Sequence, residues 1–147
     1  MAHKNTKRKH KIVSQYARMW PREVFDVREG NKYCPDVKTV LWKPGVYVLY
    51  RDDHPYYIGK ASRRLFRRLR DHAVKPKDRY YRFWNFFSAF VVDNPQNIPE
   101  VEGILIAAMP TDNSAIPRIH KIHIPSKIAK VLMKKRRIAL LDNENDH

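Results

Sequence analysis

The spacing of hydrophobic and polar residues predicts a three-stranded sheet in the middle of the chain. Residues 45–51 are rich in Val, Leu and Tyr, and the turn sequence DDHP separates them from a second short strand at 56–60. These two strands predict a β-hairpin. A long apolar and aromatic run at 82–92, RFWNFFSAFVV, predicts a third strand. We therefore expect a largely antiparallel sheet of three strands.

Helical spacing predicts the elements that flank this sheet. Ser62 is a plausible N-cap for one helix, and Pro99 stands at a favourable first position of another. Helices are expected at 12–20, 21–28, 63–73, 99–109 and 126–138, whereas 30–43 is predicted to be irregular. The fold class is thus a small α/β domain.

The chain is predicted to form one compact domain with three parts. Residues 1–42 are expected to be a basic N-terminal arm, over 1–11, followed by a helical extension. Residues 43–115 form the central module. Residues 116–147 are expected to be a basic C-terminal helix with an acidic tail.

Charge predicts an anionic partner. The chain carries 30 Lys and Arg against 15 Asp and Glu, a net charge of +15. Three blocks, 1–22, 60–82 and 118–137, hold 25 of the 30 basic residues, while 93–117 holds none. Nucleic acid is the commonest partner of so basic a protein. A ribosomal-type or merely soluble basic protein is the plainer alternative.

Other features of composition bear on location. The chain has one cysteine, which excludes an internal disulfide and fits a reducing compartment. We find neither an apolar run of membrane-spanning length nor the apolar core of a signal peptide. We therefore expect a cytoplasmic or nucleoid-associated protein with no membrane partner. The sequence assigns no oligomeric state.

The helix predicted at 63–73 carries two polar residues beside its apolar face. That face consists of Leu65, Phe66, Leu69 and Ala73. Arg68 and His72, four residues apart, border it, whereas Arg67 points to water. A solvated basic helix would also explain these charges. The spacing alone leaves both interpretations open.

Glu102 lies on the apolar stripe of the helix predicted at 99–109, while Glu100 points away from it. A carboxylate on a buried face is costly unless it is paired or binds a metal. It could therefore form an ion pair with one of the many arginines. Alternatively, it could bind a hard cation such as Mg²⁺, which often takes only one or two protein carboxylates.

Four motifs in order resemble the GIY-YIG nuclease family. They are GVY at 45–47 and YIG at 57–59, then LFRRLRDH at 65–72, and EGILIAAMPTDN at 102–113. The tyrosines are ten positions apart, and the resemblance spans residues 44 to about 115. It maps the family's His onto His72, its Glu onto Glu102 and its Asn onto Asn113. Counting from Gly59 selects Arg67 as the family's arginine. Alignment on Leu65 and Leu69 selects Arg68, which the helical face also favours.

The resemblance implies a small stand-alone endonuclease that hydrolyses DNA, expected to be double-stranded, with Mg²⁺ or Mn²⁺. It implies Tyr47 as general base, oriented by Tyr57, with Arg68 on the scissile phosphate, His72 moving a proton and Glu102 holding the metal. Cations near Tyr47 would have to lower its pKa from about 10. Further expected roles are substrate binding by Lys60, Arg67 and Asn113, and close backbone approach at Gly45 and Gly59.

Two other functions remain open. A basic nucleic-acid-binding protein could keep this fold without catalysis, although the complete set of site residues argues against it. An RNA nuclease would use the same residues. Each tyrosine taken alone could also be an ordinary aromatic residue of a hairpin.

Overall fold

The structure of the protein, a computed structural model, describes residues 11–33, 35–113, 117 and 119–144. It contains six strands, four α-helices and two short 3₁₀ segments at Arg22–Phe25 and Pro95–Asn97. In chain order the elements are β1 (Gln15–Pro21), β2 (Arg28–Glu29), β3 (Lys32–Tyr33), α1 (Pro35–Val40), β4 (Gly45–Arg51), β5 (His54–Ala61), α2 (Leu65–Val74), β6 (Phe86–Val91), α3 (Ile98–Ala108) and α4 (Ser126–Glu144).

The main sheet is antiparallel throughout and has the strand order β1-β6-β4-β5. The predicted hairpin is β4 and β5, and the predicted third strand is β6, which begins at Phe86. The α/β class and the antiparallel sheet flanked by helices are therefore confirmed. The sheet has four strands, however, where the sequence predicted three.

The extra strand corrects the helical extension expected in the N-terminal part. Residues 12–20 were predicted to be helical, but β1 pairs with β6 instead. Ala17 is buried in the core while Tyr16 is exposed, which is the alternation of a strand. Without β1, the backbone groups along that side of β6 would have no strand partner. Pairing across the sheet thus outweighs local helical preference.

The segment predicted to be irregular, 30–43, is also corrected. It contributes β3, which pairs with β2 in a separate two-stranded sheet, and the six-residue helix α1. The second helix predicted for 21–28 is a single 3₁₀ turn. The arm expected at 1–11 lies outside the described residues apart from Lys11. The domain boundaries at 42/43 and 115/116 stay predictions.

The two faces of the main sheet pack against different helices. One face carries Tyr47 and Leu49 and packs against α2 with Leu65 and Leu69. The other face carries Val46, Val48 and Ile58, against which α3 lays Val101, Leu105 and Ile106. The central strand β4 is buried on both faces, so it fixes the position of Tyr47 most firmly.

Backbone hydrogen bonds tie the start of α2 to the segment before β4. The N–H groups of Leu65 and Phe66 donate to the carbonyls of Lys43 and Leu41, both at 2.8 Å. These carbonyls satisfy donors that a helix start leaves free. Ser62 was predicted to do this, but the N-cap residue is Arg64 and its side chain makes no capping bond.

The C-terminal helix α4 begins at Ser126, as predicted, and carries exposed apolar residues such as Ile128 and Leu132. Within the part of the chain that the structure describes, no helix combines the length and the apolar character that a membrane crossing needs.

Candidate active site

The two motif tyrosines lie on the same face of the hairpin. Tyr47 is opposite Gly59 and Leu49 is opposite Tyr57, so Tyr47 and Tyr57 are diagonal neighbours. Their ring centroids are 6.3 Å apart. The hairpin register thus places both phenols on one face of the sheet. Because β5 is the last strand of the sheet, groups from both faces can gather around this edge.

Gly59 and Gly45 are glycines for reasons of space. A Cβ atom on Gly59 would overlap the phenol ring of Tyr47, which lies directly over it. A Cβ atom on Gly45 would overlap the backbone carbonyl of Phe90 and crowd Leu65. Both glycines thus permit a close approach, as expected. At Gly59, however, the approaching group is the ring of Tyr47, so this glycine makes room for the tyrosine itself.

Tyr47 is the first member of a buried chain of hydrogen bonds. Its hydroxyl lies 2.7 Å from Nε2 of His72, and Nδ1 of His72 lies 2.8 Å from Oδ1 of Asp78. Tyr47 is fully buried, and His72 is 2% exposed. The same Asp78 oxygen accepts a bond from the backbone N–H of Tyr80 at 2.9 Å. Asp78 is therefore held in place independently of the histidine.

Burial determines the protonation of His72. It lowers the pKa of the imidazole, although Asp78 opposes this shift, so the ring is neutral at neutral pH. A carboxylate can only accept a hydrogen bond. The ring proton consequently lies on Nδ1 and is donated to Asp78. Nε2 is left as an acceptor for the hydroxyl of Tyr47.

Burial also raises the pKa of Tyr47, with a further contribution from Tyr57. The Arg68 guanidinium beside the phenol lowers this pKa, but by less than burial raises it. Arg68 thus acts in the direction that a general base requires, but burial outweighs it. In the absence of bound substrate, Tyr47 is a neutral phenol that donates to His72.

Tyr57 is half-buried and has an aromatic neighbour of its own. Its ring stacks on Tyr80, with centroids 4.2 Å apart and planes inclined by 25°. Burial raises the pKa of Tyr57, and Tyr80 adds to the effect. Arg68 lowers this pKa and Glu102 raises it. Tyr57 thus lies within reach of the charges of both Arg68 and Glu102.

Glu102 approaches the edge of the sheet from the α3 side. Its side chain is 17% exposed, and Oε1 lies 3.8 Å from Nζ of Lys60 on β5. Glu100 is exposed, so the structure separates the two carboxylates as the helical spacing predicted. A partly buried carboxylate with only a distant ammonium partner is a suitable oxygen ligand for a hard cation.

No larger set of metal ligands supports Glu102. Within 11–33, 35–113, 117 and 119–144, no three His, Cys, Asp or Glu side chains form a group that could hold a metal. A cation bound here would take one protein carboxylate and complete its shell with water and substrate oxygens.

The remaining predicted residues lie around this centre. Arg68 is exposed, and its charge lowers the pKa of both Tyr47 and Tyr57. Together with Arg67 and Lys60 it lines a groove. Asn113 has a contact that the sequence did not predict. Its amide accepts from the N–H of Ile58 at 2.8 Å and donates to the carbonyl of Ile58 at 2.7 Å. Asn113 thereby pairs with the outer side of β5. Its binding to substrate stays a prediction.

Sequence reasoning missed Asp78 and Tyr80. Both belong to the segment between α2 and β6, and neither is part of the four motifs. One signal was present for Asp78. Residues 60–82 contain ten Lys and Arg but only two acids, Asp71 and Asp78. Of these two acids, Asp78 alone follows the histidine, which made it a candidate partner for His72.

Comparison with known proteins is consistent with this geometry. Three solved structures match, each with a TM-score of 0.41 and each covering 49% of this chain and 86% of the other chain. One is the N-terminal GIY-YIG endonuclease domain of UvrC from Thermotoga maritima, bound to magnesium as its catalytic divalent cation, at 32% identity. The other two are point mutants of that domain, also bound to the catalytic cation, at 30% and 32% identity.

No protein-family model matches the chain, and no curated protein matches it. The assignment therefore rests on the matched domain and on the motif residues that the fold brings together. With 32% identity over 86% of that domain, this chain belongs to the GIY-YIG family.

Proposed function

We propose that this protein is a DNA endonuclease that hydrolyses phosphodiester bonds with the help of Mg²⁺ or Mn²⁺. The observation that carries the proposal is the buried chain from Tyr47 through neutral His72 to Asp78, with Arg68 beside the phenol. The similarity to a magnesium-bound endonuclease domain supports it.

Tyr47 acts as general base by passing its proton on. A phenol whose pKa is raised by burial stays protonated at neutral pH. As the oxygen of Tyr47 takes a proton from the attacking water, its own proton moves to Nε2 of His72. Asp78 stabilises the imidazolium that results. The water oxygen forms a bond to phosphorus, and the bond from phosphorus to the leaving oxygen breaks.

Arg68 binds the scissile phosphate and stabilises the charge that develops on its oxygens. Tyr57, held flat against Tyr80, orients the attacking water. Lys60 and Arg67 contact neighbouring phosphates. Asn113 braces β5 through its two bonds to Ile58, and we propose that it also contacts substrate at the sheet edge.

Glu102 holds the divalent cation. When bound, this cation stabilises negative charge on the leaving oxygen. The ammonium group of Lys60 lies 3.8 Å from the Glu102 carboxylate. In the complex with DNA and metal, Lys60 would contact a phosphate of the substrate instead. One carboxylate would suffice, since hard cations such as Mg²⁺ are often held by one or two protein carboxylates with water and phosphate oxygens.

The substrate is proposed to be double-stranded DNA. A net charge of +15, concentrated in three basic blocks, supports a polyanionic partner. Location in the cytoplasm, at the nucleoid, agrees with that partner. The same site would accept RNA, and the fold could also serve binding without cleavage, so the test includes both outcomes.

The test is nicking of supercoiled plasmid with MgCl₂, MnCl₂ or excess EDTA. The wild-type protein should convert plasmid to nicked and linear forms only with a divalent cation. Glu102→Gln should lose this activity while retaining DNA binding, whereas the matched variant Glu100→Gln should cleave normally.

The controls separate the competing functions. Cleavage of a matching RNA in preference to DNA would make the protein an RNA nuclease. DNA binding with no nicking under any metal would make it a binding protein. Near wild-type cleavage by Glu102→Gln would overturn the metal site.

A further inference from the structure

A basic groove extends from the candidate site along the start of α2. Its volume is about 750 Å³, and Lys60 and Arg68 belong to its lining. The groove is therefore continuous with the position proposed for the scissile phosphate. Seven of its thirteen lining residues are Lys or Arg. Its single acid, Asp71, is already paired with Arg70 at 3.0 Å and Lys75 at 3.2 Å. Such a lining favours a phosphate backbone.

The groove also contains an aromatic surface, which phosphates do not need. Trp42 lines it and is 39% exposed. The guanidinium carbon of Arg64 lies 3.7 Å from the centre of the Trp42 ring, and Nζ of Lys38 lies 4.8 Å from it. The guanidinium is stacked over the face of the indole, and the two form a shelf on which a base can stack against the guanidinium or take its place over the ring. Both groups stack on nucleobases.

The backbone holds this shelf rigidly. The carbonyls on either side of Trp42, those of Leu41 and Lys43, accept the hydrogen bonds from the start of α2. The indole also packs near Phe66, with ring centroids 6.2 Å apart. An exposed tryptophan held in this way loses little further conformational freedom when it binds a flat ligand.

We infer that the groove binds the DNA strand that leads to the scissile phosphate, and that Trp42 with Arg64 stacks on one unpaired base of that strand. The inference rests on the proposed function and names its substrate class. In a continuous duplex the faces of the bases are covered by their neighbours. A base can reach the shelf only if it is unpaired or displaced. The substrate is therefore duplex DNA that carries an unpaired nucleotide close to the cleavage point.

Binding measurements without metal test this inference. The probes are a short DNA duplex and the same duplex with one unpaired nucleotide, both measured in EDTA so that cleavage plays no part. The wild-type protein should bind the interrupted duplex about tenfold more tightly, as expected for one base stacked on an aromatic side chain. Trp42→Ala should lose this preference and bind the continuous duplex almost as before.

Two variants serve as controls. Trp42→Phe should keep most of the preference because it restores an aromatic face. Tyr16→Ala removes another exposed aromatic ring, 71% exposed on β1 at the opposite edge of the sheet, and should change neither affinity. Equal affinity of the wild-type protein for both probes would overturn the inference. An equal loss for both probes in Trp42→Ala would also overturn it.

A second measurement does not depend on the folding of Trp42→Ala. The unpaired position is replaced by 2-aminopurine, whose fluorescence is quenched when it stacks on an aromatic group. Wild-type protein and Trp42→Phe should quench this fluorescence. Absence of quenching by the wild-type protein would refute stacking of the unpaired base on Trp42 and Arg64. Because both measurements are made without metal, failure of plasmid nicking refutes the proposed function without affecting them.

Discussion

The hydroxyl of Tyr47 is hydrogen-bonded to Nε2 of His72 at 2.7 Å, and both side chains are buried in the core of the domain. This contact joins the central strand of the sheet to the last turn of α2. It gives the phenol a defined acceptor for its proton. In the proposed mechanism, this acceptor is what would let a tyrosine with a raised pKa serve as a base.

We predict that Asp78→Asn prevents His72 from accepting the proton of Tyr47 efficiently while leaving the fold intact. The oxygen of an amide at position 78 can still accept from Nδ1 of His72 and from the N–H of Tyr80, but the negative charge that stabilises the imidazolium is lost. The single-turnover cleavage rate at saturating DNA should fall at least about a hundredfold. Asp71→Asn, the other acid of this segment, should stay within about threefold of wild type. Equal cleavage rates for the two variants would exclude proton transfer from Tyr47 to His72 assisted by Asp78.

The pH dependence of cleavage should report His72. Burial holds the pKa of its imidazole below the usual value of about 6.5. Only the neutral ring accepts a proton, so the rate should be constant at neutral pH and fall as pH decreases through this lowered pKa. The free energy of unfolding should fall as well, because the unfolded chain takes up the proton at higher pH.

The same pH profile distinguishes a positioning role for Asp78. Removing its charge removes the interaction that keeps the pKa of His72 from falling further. In Asp78→Asn the acid limb of the residual activity should therefore move to lower pH. An acid limb that stays in place, or moves to higher pH, would contradict this arrangement.

The two adjacent arginines should differ in the step they affect. Both arginines line the groove, but Arg68 also lowers the pKa of both Tyr47 and Tyr57. Arg68→Ala should slow the chemical step by about 3 kcal/mol, as for the loss of a preorganised charge stabiliser. Arg67→Ala should mainly weaken DNA binding and reduce the slope of log K against log salt concentration by about one. Single-turnover rates and salt titrations on each variant measure the two effects; the opposite pattern would assign the catalytic arginine to position 67.

Glycine at position 59 should be required for the fold of the site. A methyl group there meets the ring of Tyr47, which is buried and cannot move aside without disturbing the core. Gly59→Ala should destabilise the protein by about 1–3 kcal/mol in chemical denaturation. Gly103→Ala is the matched control, since its methyl group would meet the flexible tip of Ile119 at 3.1 Å and helix propensity favours alanine. A stability of Gly59→Ala equal to that of Gly103→Ala would contradict the packing argument.

Much of the fold could be predicted because its signals are local. The hairpin, α2 and α3 follow from apolar spacing over short stretches, and the separation of Glu102 from Glu100 follows from helical periodicity. β1 could not be predicted in this way. Residues 15–21 are strand because β6 offers a free edge to them, and that edge exists only after the rest of the sheet has formed.

The sequence by itself determined which residues could form a site, because family motifs and the alternation of side chains along a strand can be read from the chain alone. It selected Tyr47 and Tyr57 as candidates and set Arg68 and His72 beside the apolar face of α2, while the hairpin register put the two phenols on one face. Only the tertiary structure decided what surrounds them. Burial raised the pKa of Tyr47 against the effect of Arg68, and the path of the segment after α2 brought Asp78 back to His72. Desolvation depends on all the atoms packed around a group, and neither spacing nor composition contains that information.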